Sequence, residues 1–266
     1  MRSVQDLFSL KDRVAIVTGG RGLYGASISR ALAEAGATVV IASRNGEKCE
    51  ELARTMREEG FSAIGMSLDL ASDESITAFV EGVIEKYGKI DVLVNNAVDR
   101  SNLASLRLAS RKQLQDSMNV NLNGQIMLSQ AVLVHMVNAH SGSLINISSM
   151  RGLDCPHFPF YPEAMREQSV NYTTEKWAME GMTRYMAGYY GKDGIRVNSI
   201  APGGYTPNIE STENGRAFSK NYIENCPLHC WANEDDIKGP VVFLASDASN
   251  YVTGATLVMD GGWTIW

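Results

Sequence analysis

The sequence predicts an α/β fold, one doubly wound parallel sheet built as a single domain over residues 1–266. Three observations predict it. Short β-branched runs alternate with longer stretches of helical period, the pattern of repeated βαβ units whose strands are buried on both faces. A glycine-rich turn follows the first of those runs directly. No internal repeat, low-complexity tract or Pro- or Ser-rich linker divides the chain.

The expected strands are 14–18 (VAIVT), 38–42 (TVVIA), 63–68, 91–95 (DVLVN), 143–147 (SLINI), 196–200 (RVNSI) and 256–259. The expected helices are 26–35, 47–59, 73–87, 111–138, 170–190 and 235–246. Right-handed crossovers wind such units into an open sheet that binds ligands beyond the carboxyl ends of its strands, so residues just after strands matter most. Two segments break the rhythm. Residues 154–168 (DCPHFPFYPEAMREQ) form a long insertion after the fifth strand, and residues 203–231 read as a loop with one or two short helices. Long irregular segments in a compact domain are usually lids or binding loops.

At 44% hydrophobic and 20% charged residues the chain can build one large core, and nothing in it points to disorder. A net charge of −6 leaves no basic surplus to hold a nucleic-acid backbone or an anionic membrane, so neither is expected as a partner. Four scattered cysteines, Cys49, Cys155, Cys226 and Cys230, do not read as a disulfide framework, and a reducing cytoplasm is expected. The opening MRSVQDLFSLKDR lacks the apolar core of a signal peptide. No segment approaches the roughly 20 apolar residues of a membrane helix. Cys226-Pro-Leu-His229-Cys230 has no complementary Cys/His pair at a zinc spacing, so no metal is expected.

After the first strand come Thr18-Gly19-Gly20-Arg21-Gly22-Leu23-Tyr24-Gly25 and then a helical run. Glycines there let the backbone N–H groups and the helix N-terminus approach a pyrophosphate without Cβ atoms in the way. The motif reads as a dinucleotide site; by itself it is also compatible with an ordinary Gly-rich turn.

Tyr172 and Lys176 stand four residues apart in an expected helix and so share one face. A tyrosine of pKa near 10 is a poor proton shuttle at neutral pH, and lowering it by about three units requires roughly 4 kcal/mol in favour of the phenolate. One ammonium at about 4 Å, with an effective dielectric near 20, supplies roughly that amount. Ser149, closing the fifth strand, can donate to a substrate oxygen as charge develops on it, and Ser148 is the alternative. A lone Tyr-x-x-x-Lys is otherwise a surface helix pair.

The motifs together resemble the short-chain dehydrogenase/reductase family, single-domain dehydrogenase branch, from about Leu10 to Gly262. The resemblance rests on TGGRGLYG, Asp69, Asn95-Asn96-Ala97, Asn121 in VNLNG, Ser149 in NISSMRG, Tyr172-Thr-Thr-Glu-Lys176, NSIAPG at 198–203, and DGGW, all in the family's order. It implies a Rossmann-type fold and a catalytic group of Asn121, Ser149, Tyr172 and Lys176. Ser149 is preferred to Ser148 because it is followed by x-x-Gly. Lys176 would also bond the nicotinamide ribose, and Asn121 would hold a water relaying protons toward Lys176 and Tyr172. An Asn satisfying backbone groups where the long helix bends fits Asn121 as well. The implied cofactor set is Gly19, Arg21, Gly22, Leu23, Tyr24, Gly25, Ser43, Arg44, Asp69, Leu70, Asn95, Ala97, Tyr172, Lys176, Pro202, Gly203, Tyr205 and Thr206. Asp69 and Leu70 would hold the adenine edge, and Asn95 would stabilise the central strands or touch a ribose.

Two positions depart from the family pattern. Leu23 stands where the middle glycine of TGxxxGxG is usual, a spacing otherwise seen in longer epimerases and dehydratases, and Val98 replaces the glycine of NNAG. The separation from Ser149 to Tyr172 is 23 residues, longer than the family's usual spacing, and Tyr161 has Met165 where a lysine would be needed.

An acidic residue ending the second strand favours NAD, whereas a cation there suits a 2′-phosphate. Here Ser43 and Arg44 end it, with Arg21 in the turn, so NADP(H) is favoured and NAD(H) is the alternative. The expected reaction is hydride transfer between nicotinamide and a carbonyl or secondary alcohol of a small molecule, a sugar, sugar acid or polyol. The alternatives are a 3-oxoacyl thioester reductase, an epimerase or dehydratase with transient oxidation, and a non-catalytic cofactor-binding regulator. In the insertion, His157, Tyr161 and Arg166 are candidate substrate contacts. By resemblance the protein forms a homo-oligomer, a tetramer, with Trp263 and Trp266 as candidate interface anchors.

Overall fold

The computed structural model describes residues 1–265. In chain order its main elements are α1 (Val4–Phe8), β1 (Val14–Thr18), α2 (Leu23–Glu34), β2 (Thr38–Ser43), α3 (Gly46–Glu58) and β3 (Ala63–Ser67). They continue with α4 (Asp73–Tyr87), β4 (Val92–Asn95), α5 (Arg111–Met118), α6 (Gly124–Ala139), β5 (Gly142–Ile147) and α7 (Val170–Tyr190). The last are β6 (Ile195–Pro202), α8 (Glu213–Asn225), α9 (Lys238–Ala245) and β7 (Thr256–Met259).

All seven strands lie in one sheet in the order β3-β2-β1-β4-β5-β6-β7, with every pair parallel. Each expected strand is present. Alternate residues of β1 feed opposite cores, Ala15 and Val17 on one face with Ile28, Leu32 and Leu244, and Val14 and Ile16 on the other with Phe79, Leu128 and Met179. That two-sided burial explains why the strands read as unbroken apolar runs. The strand order reverses between β1 and β4, which opens a crevice at their carboxyl ends.

Helix ends follow from local chemistry. The side chains of Asn45, Ser72 and Ser110 cap α3, α4 and α5, and Gly88 in the left-handed region (φ 73°) stops α4. The expected helix 235–246 shortens to α9, with Pro240 in its first turn where a missing N–H is harmless.

The single helix expected over 111–138 is two. Residues Asn119–Asn123 form one wide turn of π type between α5 and α6, with no Pro in it to signal the change. Residues 203–231 contain the three-turn helix α8. Among the described residues no helix is long and apolar enough to cross a membrane.

Candidate active site

The largest cleft, about 600 Å³, lies at the carboxyl end of the sheet over the switch between β1 and β4. Its floor is the glycine turn. Gly19 is left-handed (φ 60°), and a Cβ there would sit 2.9 Å from Ala97 Cα. At Gly25 a Cβ would come within 2.0 Å of Gly19 O, so the first turn of α2 closes on the loop only because that side chain is missing. Gly22 caps α2 without any side-chain hydrogen bond, leaving first-turn N–H groups directed at the cleft, the arrangement that binds phosphate. Leu23 takes the first helical position and lines the cleft. The unusual glycine spacing therefore leaves the cradle intact.

Arg21, Ser43 and Arg44 all line this cleft. Neither arginine is in an ion pair among the described residues, so both cations are available to a phosphate. A smaller recess of about 130 Å³ shares Gly19, Ser43, Arg44 and Ala97 with the cleft and is walled by Asp69 and Leu70, a slot where an adenine edge would fit. Val98 lines both spaces at their junction. A dinucleotide fits this chain of sites: a cation pair, a bare helix N-terminus and a glycine cradle in sequence. Tyr24, Pro202, Gly203 and Tyr205 also line the cleft, with the Tyr24 and Tyr205 rings 4.7 Å apart. Burial pushes the Tyr24 hydroxyl well above the usual phenol range.

Three members of the expected set lie elsewhere. Asn95 is fully buried and ties β4 to its neighbours through Ser129 (2.9 Å) and Asn146 (3.0 Å), the strand-stabilising role. Gly25 packs against Gly19 beneath the cleft, and Thr206 lines a separate surface hollow near Trp231.

The reacting group assembles from three elements. α7 presents Tyr172 and Lys176 to the cleft, with Lys176 Nζ 5.8 Å from the Tyr172 ring centre and donating to Ile147 O at 2.7 Å. Burial pulls the Lys176 ammonium down to about 8, opposed by the nearby Glu175 carboxylate. From the end of β5, Ser149 accepts the Arg151 N–H at 3.1 Å, so its own O–H stays free to donate into the cleft. Ser148 also lines the cleft, but its hydroxyl is aimed at Lys176 O, 3.5 Å away inside the fold.

Asn121, in the wide turn, does not line the cleft, and its amide is fully occupied by protein. Its Oδ1 accepts from Asp99 N (2.7 Å), while Nδ2 faces Asp99 O (2.9 Å), Ser117 Oγ (3.2 Å) and Glu175 Oε2 (2.9 Å). The π turn and this clasp form one device fastening the loop after β4 to α7. Each polar atom of the side chain therefore already has a protein partner, the arrangement of an Asn that satisfies its neighbours at the bend.

The insertion lies differently from the wall expected of it. Tyr161 is buried, stacks on Phe218 at 4.8 Å and accepts from Arg151, while Phe160 meets Trp263 edge-on. With Tyr222 and Trp231 these rings make a third small core beside α8. His157 sits against Phe160, and Arg166 donates to Tyr161 O. None of His157, Tyr161 and Arg166 lines the cleft, because the aromatic side chains of the segment find partners in α8 and the chain's end instead. Trp263 likewise is buried on Tyr222 (4.6 Å, 11° between planes) and is no surface anchor. Trp266 lies outside the described residues.

Arg100 is among the cleft residues that escaped the sequence reading. Arg100, three residues after Ala97 and exposed, lines the cleft with its guanidinium carbon 6.0 Å from the Tyr172 ring centre. The signal was available, since a cation just beyond β4 stands where ligand contacts concentrate. No group of His, Cys, Asp and Glu among the described residues could hold a metal ion.

A family model described as enoyl-(acyl carrier protein) reductase matches residues 21–264. The chain is 32% identical over 261 residues to gluconate 5-dehydrogenase of Gluconobacter oxydans, covering 98% of each. It is 35% identical over 256 residues to a 3-oxoacyl-[acyl-carrier-protein] reductase of Pseudomonas aeruginosa, covering 96% of this chain and 98% of that one. A gluconate 5-dehydrogenase from Burkholderia cenocepacia, solved with NADP and tartrate, superposes with a TM-score of 0.88 at 36% identity, over 99% of this chain and 100% of that one. With the glycine cradle, the Tyr172–Lys176 pair and a family match over nearly its whole length, the chain belongs to the short-chain dehydrogenase/reductase family.

Proposed function

We propose that this protein is an NADP(H)-dependent oxidoreductase of sugar acids, interconverting a secondary alcohol and a ketone with Tyr172 as acid/base. The observation that carries it is the lining of one cleft, which brings the cations Arg21 and Arg44 together with Tyr172, Lys176, Ser149 and Arg100. A nicotinamide bound there would take up or give the hydride. In oxidation, Ser149 donates to the substrate oxygen, and the Tyr172 phenolate removes the hydroxyl proton. The Lys176 ammonium favours that phenolate. Arg100 is placed to receive a carboxylate, the group that separates a sugar acid from a polyol or a thioester.

The activities of the relatives, on gluconate above all, and the Burkholderia protein's complex with NADP and tartrate support the sugar-acid class. A screen of sugar acids, polyols and 3-oxoacyl thioesters with both cofactors tests it. The reading fails if a thioester is turned over faster than every sugar acid.

Replacing Arg100 with Ala is expected to raise KM for a sugar acid by roughly tenfold to a hundredfold, as for loss of one charge-assisted contact, and to leave KM for a neutral polyol unchanged. Equal effects on both substrates reject a carboxylate role. Arg44→Asp places a like charge beside the 2′-phosphate and is expected to lower kcat/KM for NADP by about tenfold to a hundredfold relative to NAD. Unchanged cofactor preference removes Arg44 from the phosphate site.

A cytoplasmic homotetramer completes the proposal. The apolar side chains of Ile126, Met127 and Val134 on α6 and of Trp177, Tyr185 and Tyr189 on α7 lie exposed in the single chain, as surfaces meant for subunit contact do. A monomer in sedimentation velocity at micromolar concentration rejects that assembly.

A further inference from the structure

The Tyr-x-x-x-Lys motif makes no demand on the residue before its lysine, yet here that residue is a carboxylate buried to 3% exposure. Glu175 Oε2 accepts from Asn121 Nδ2 at 2.9 Å, and the Ser117 hydroxyl lies beside the carboxylate. Oε1, equally buried, has no partner among the described residues. An apolar side chain of the same volume would fill this gap between α5, the wide turn and α7 without desolvating a charge. The presence of a carboxylate in the helix that carries the reacting pair therefore calls for an electrical reason.

The surrounding charges provide one. Glu175 faces neutral Asn121 and Ser117, Asp99 from the loop after β4, and Lys176 on its own helix. Lys176 in turn is acted on by Glu175, Glu180 and Arg100. Glu180 is bonded only by the hydroxyls of Ser199 and Thr256. Burial and Arg100 both drive Lys176 toward the neutral amine, and Glu175 is the strongest influence in the opposite direction. Burial also raises the Glu175 carboxyl above its ordinary value, opposed by the hydrogen bonds from Ser117 and Asn121 and by Lys176.

We propose that Glu175 is a positioning residue for the reaction, whose buried carboxylate braces the Asn121 turn against α7 and supplies the negative charge that keeps Lys176 an ammonium. The inference rests on the reading of Tyr172 and Lys176 as the reacting pair. Removing a negative charge favours the deprotonated form of the neighbouring ammonium, so the falling limb of the pH profile, where Lys176 loses its proton, must move to lower pH.

The test is the profile of kcat for oxidation in wild type, Glu175→Gln, Glu175→Met and Glu175→Asp. The two neutral variants are expected to shift the falling limb of the profile to lower pH by about one unit, and the charge-retaining Asp variant to leave it near wild type. In parallel, the pH dependence of Lys176 acetylation by trace acetic anhydride, read by peptide mass spectrometry without cofactor or substrate, should shift downward in the same two variants. Profiles of the neutral variants that superimpose on wild type overturn the proposal, whatever happens to Tm. So does failure of both neutral variants to fold while Asp folds, since Glu175 is then architectural. An acetylation shift in a protein without oxidoreductase activity keeps the Glu175 inference and sinks the proposed function; normal activity with unmoved acetylation does the reverse.

Discussion

Tyr172→Phe is expected to lower kcat by roughly 10²- to 10⁴-fold, the range that general acid–base catalysis contributes, with NADPH affinity changed by no more than a few fold. The substitution keeps the ring that lines the cleft between Lys176 and Arg100 and removes only the hydroxyl. Little packing is lost, so a fall in rate reports the missing proton. Stopped-flow kinetics of the variant beside a fluorescence titration of NADPH separate the two quantities. Near-normal turnover removes Tyr172 from the acid/base role and leaves Ser149 as the next hydroxyl in the cleft.

Lys176→Met is expected to be nearly as damaging to kcat and also to weaken cofactor binding. The side chain is buried, and its ammonium donates to Ile147 O and faces Met179 Sδ at 3.9 Å, which leaves an N–H group for ligands in the cleft. Methionine matches its length without charge. With no ammonium left to titrate, the falling limb that Lys176 gives the oxidation profile should be lost. If Lys176→Met changes Tm alone and leaves both the profile and NADPH affinity intact, the lysine is a packing residue.

The parts legible in the sequence are those governed by local rules. Each strand is a short β-branched run between polar turns, and its two-sided burial produced the pattern that was read. The glycine turn and the Tyr172–Lys176 spacing are local as well. What escaped depends on distant contacts. The break in the long helix at Asn119–Asn123 carries no Pro and no preceding Gly; it exists because Asn121 reaches Asp99 and Glu175 across the fold. Helix α8 has few apolar residues, and its buried Tyr222 is completed by Trp263 near the chain's end. For the same reason the rings of the insertion looked like cleft wall, while their partner Phe218 lies far along the chain. Glu175 could have been noticed: with Asn171, Met179, Met182 and Met186 it falls at helical spacing on the buried face of α7, where a carboxylate is unusual.

The most direct measurement follows NADPH absorbance when the purified wild-type protein is mixed with NADP and a set of sugar acids, with Tyr172→Phe as the control. Steady formation of NADPH with at least one sugar acid, in proportion to enzyme and largely abolished in the control, is the result the account predicts. Conversion of the sugar acid with no net NADPH would place the chain among enzymes of transient oxidation, and NADPH formation undiminished in Tyr172→Phe would contradict the assignment of its chemistry.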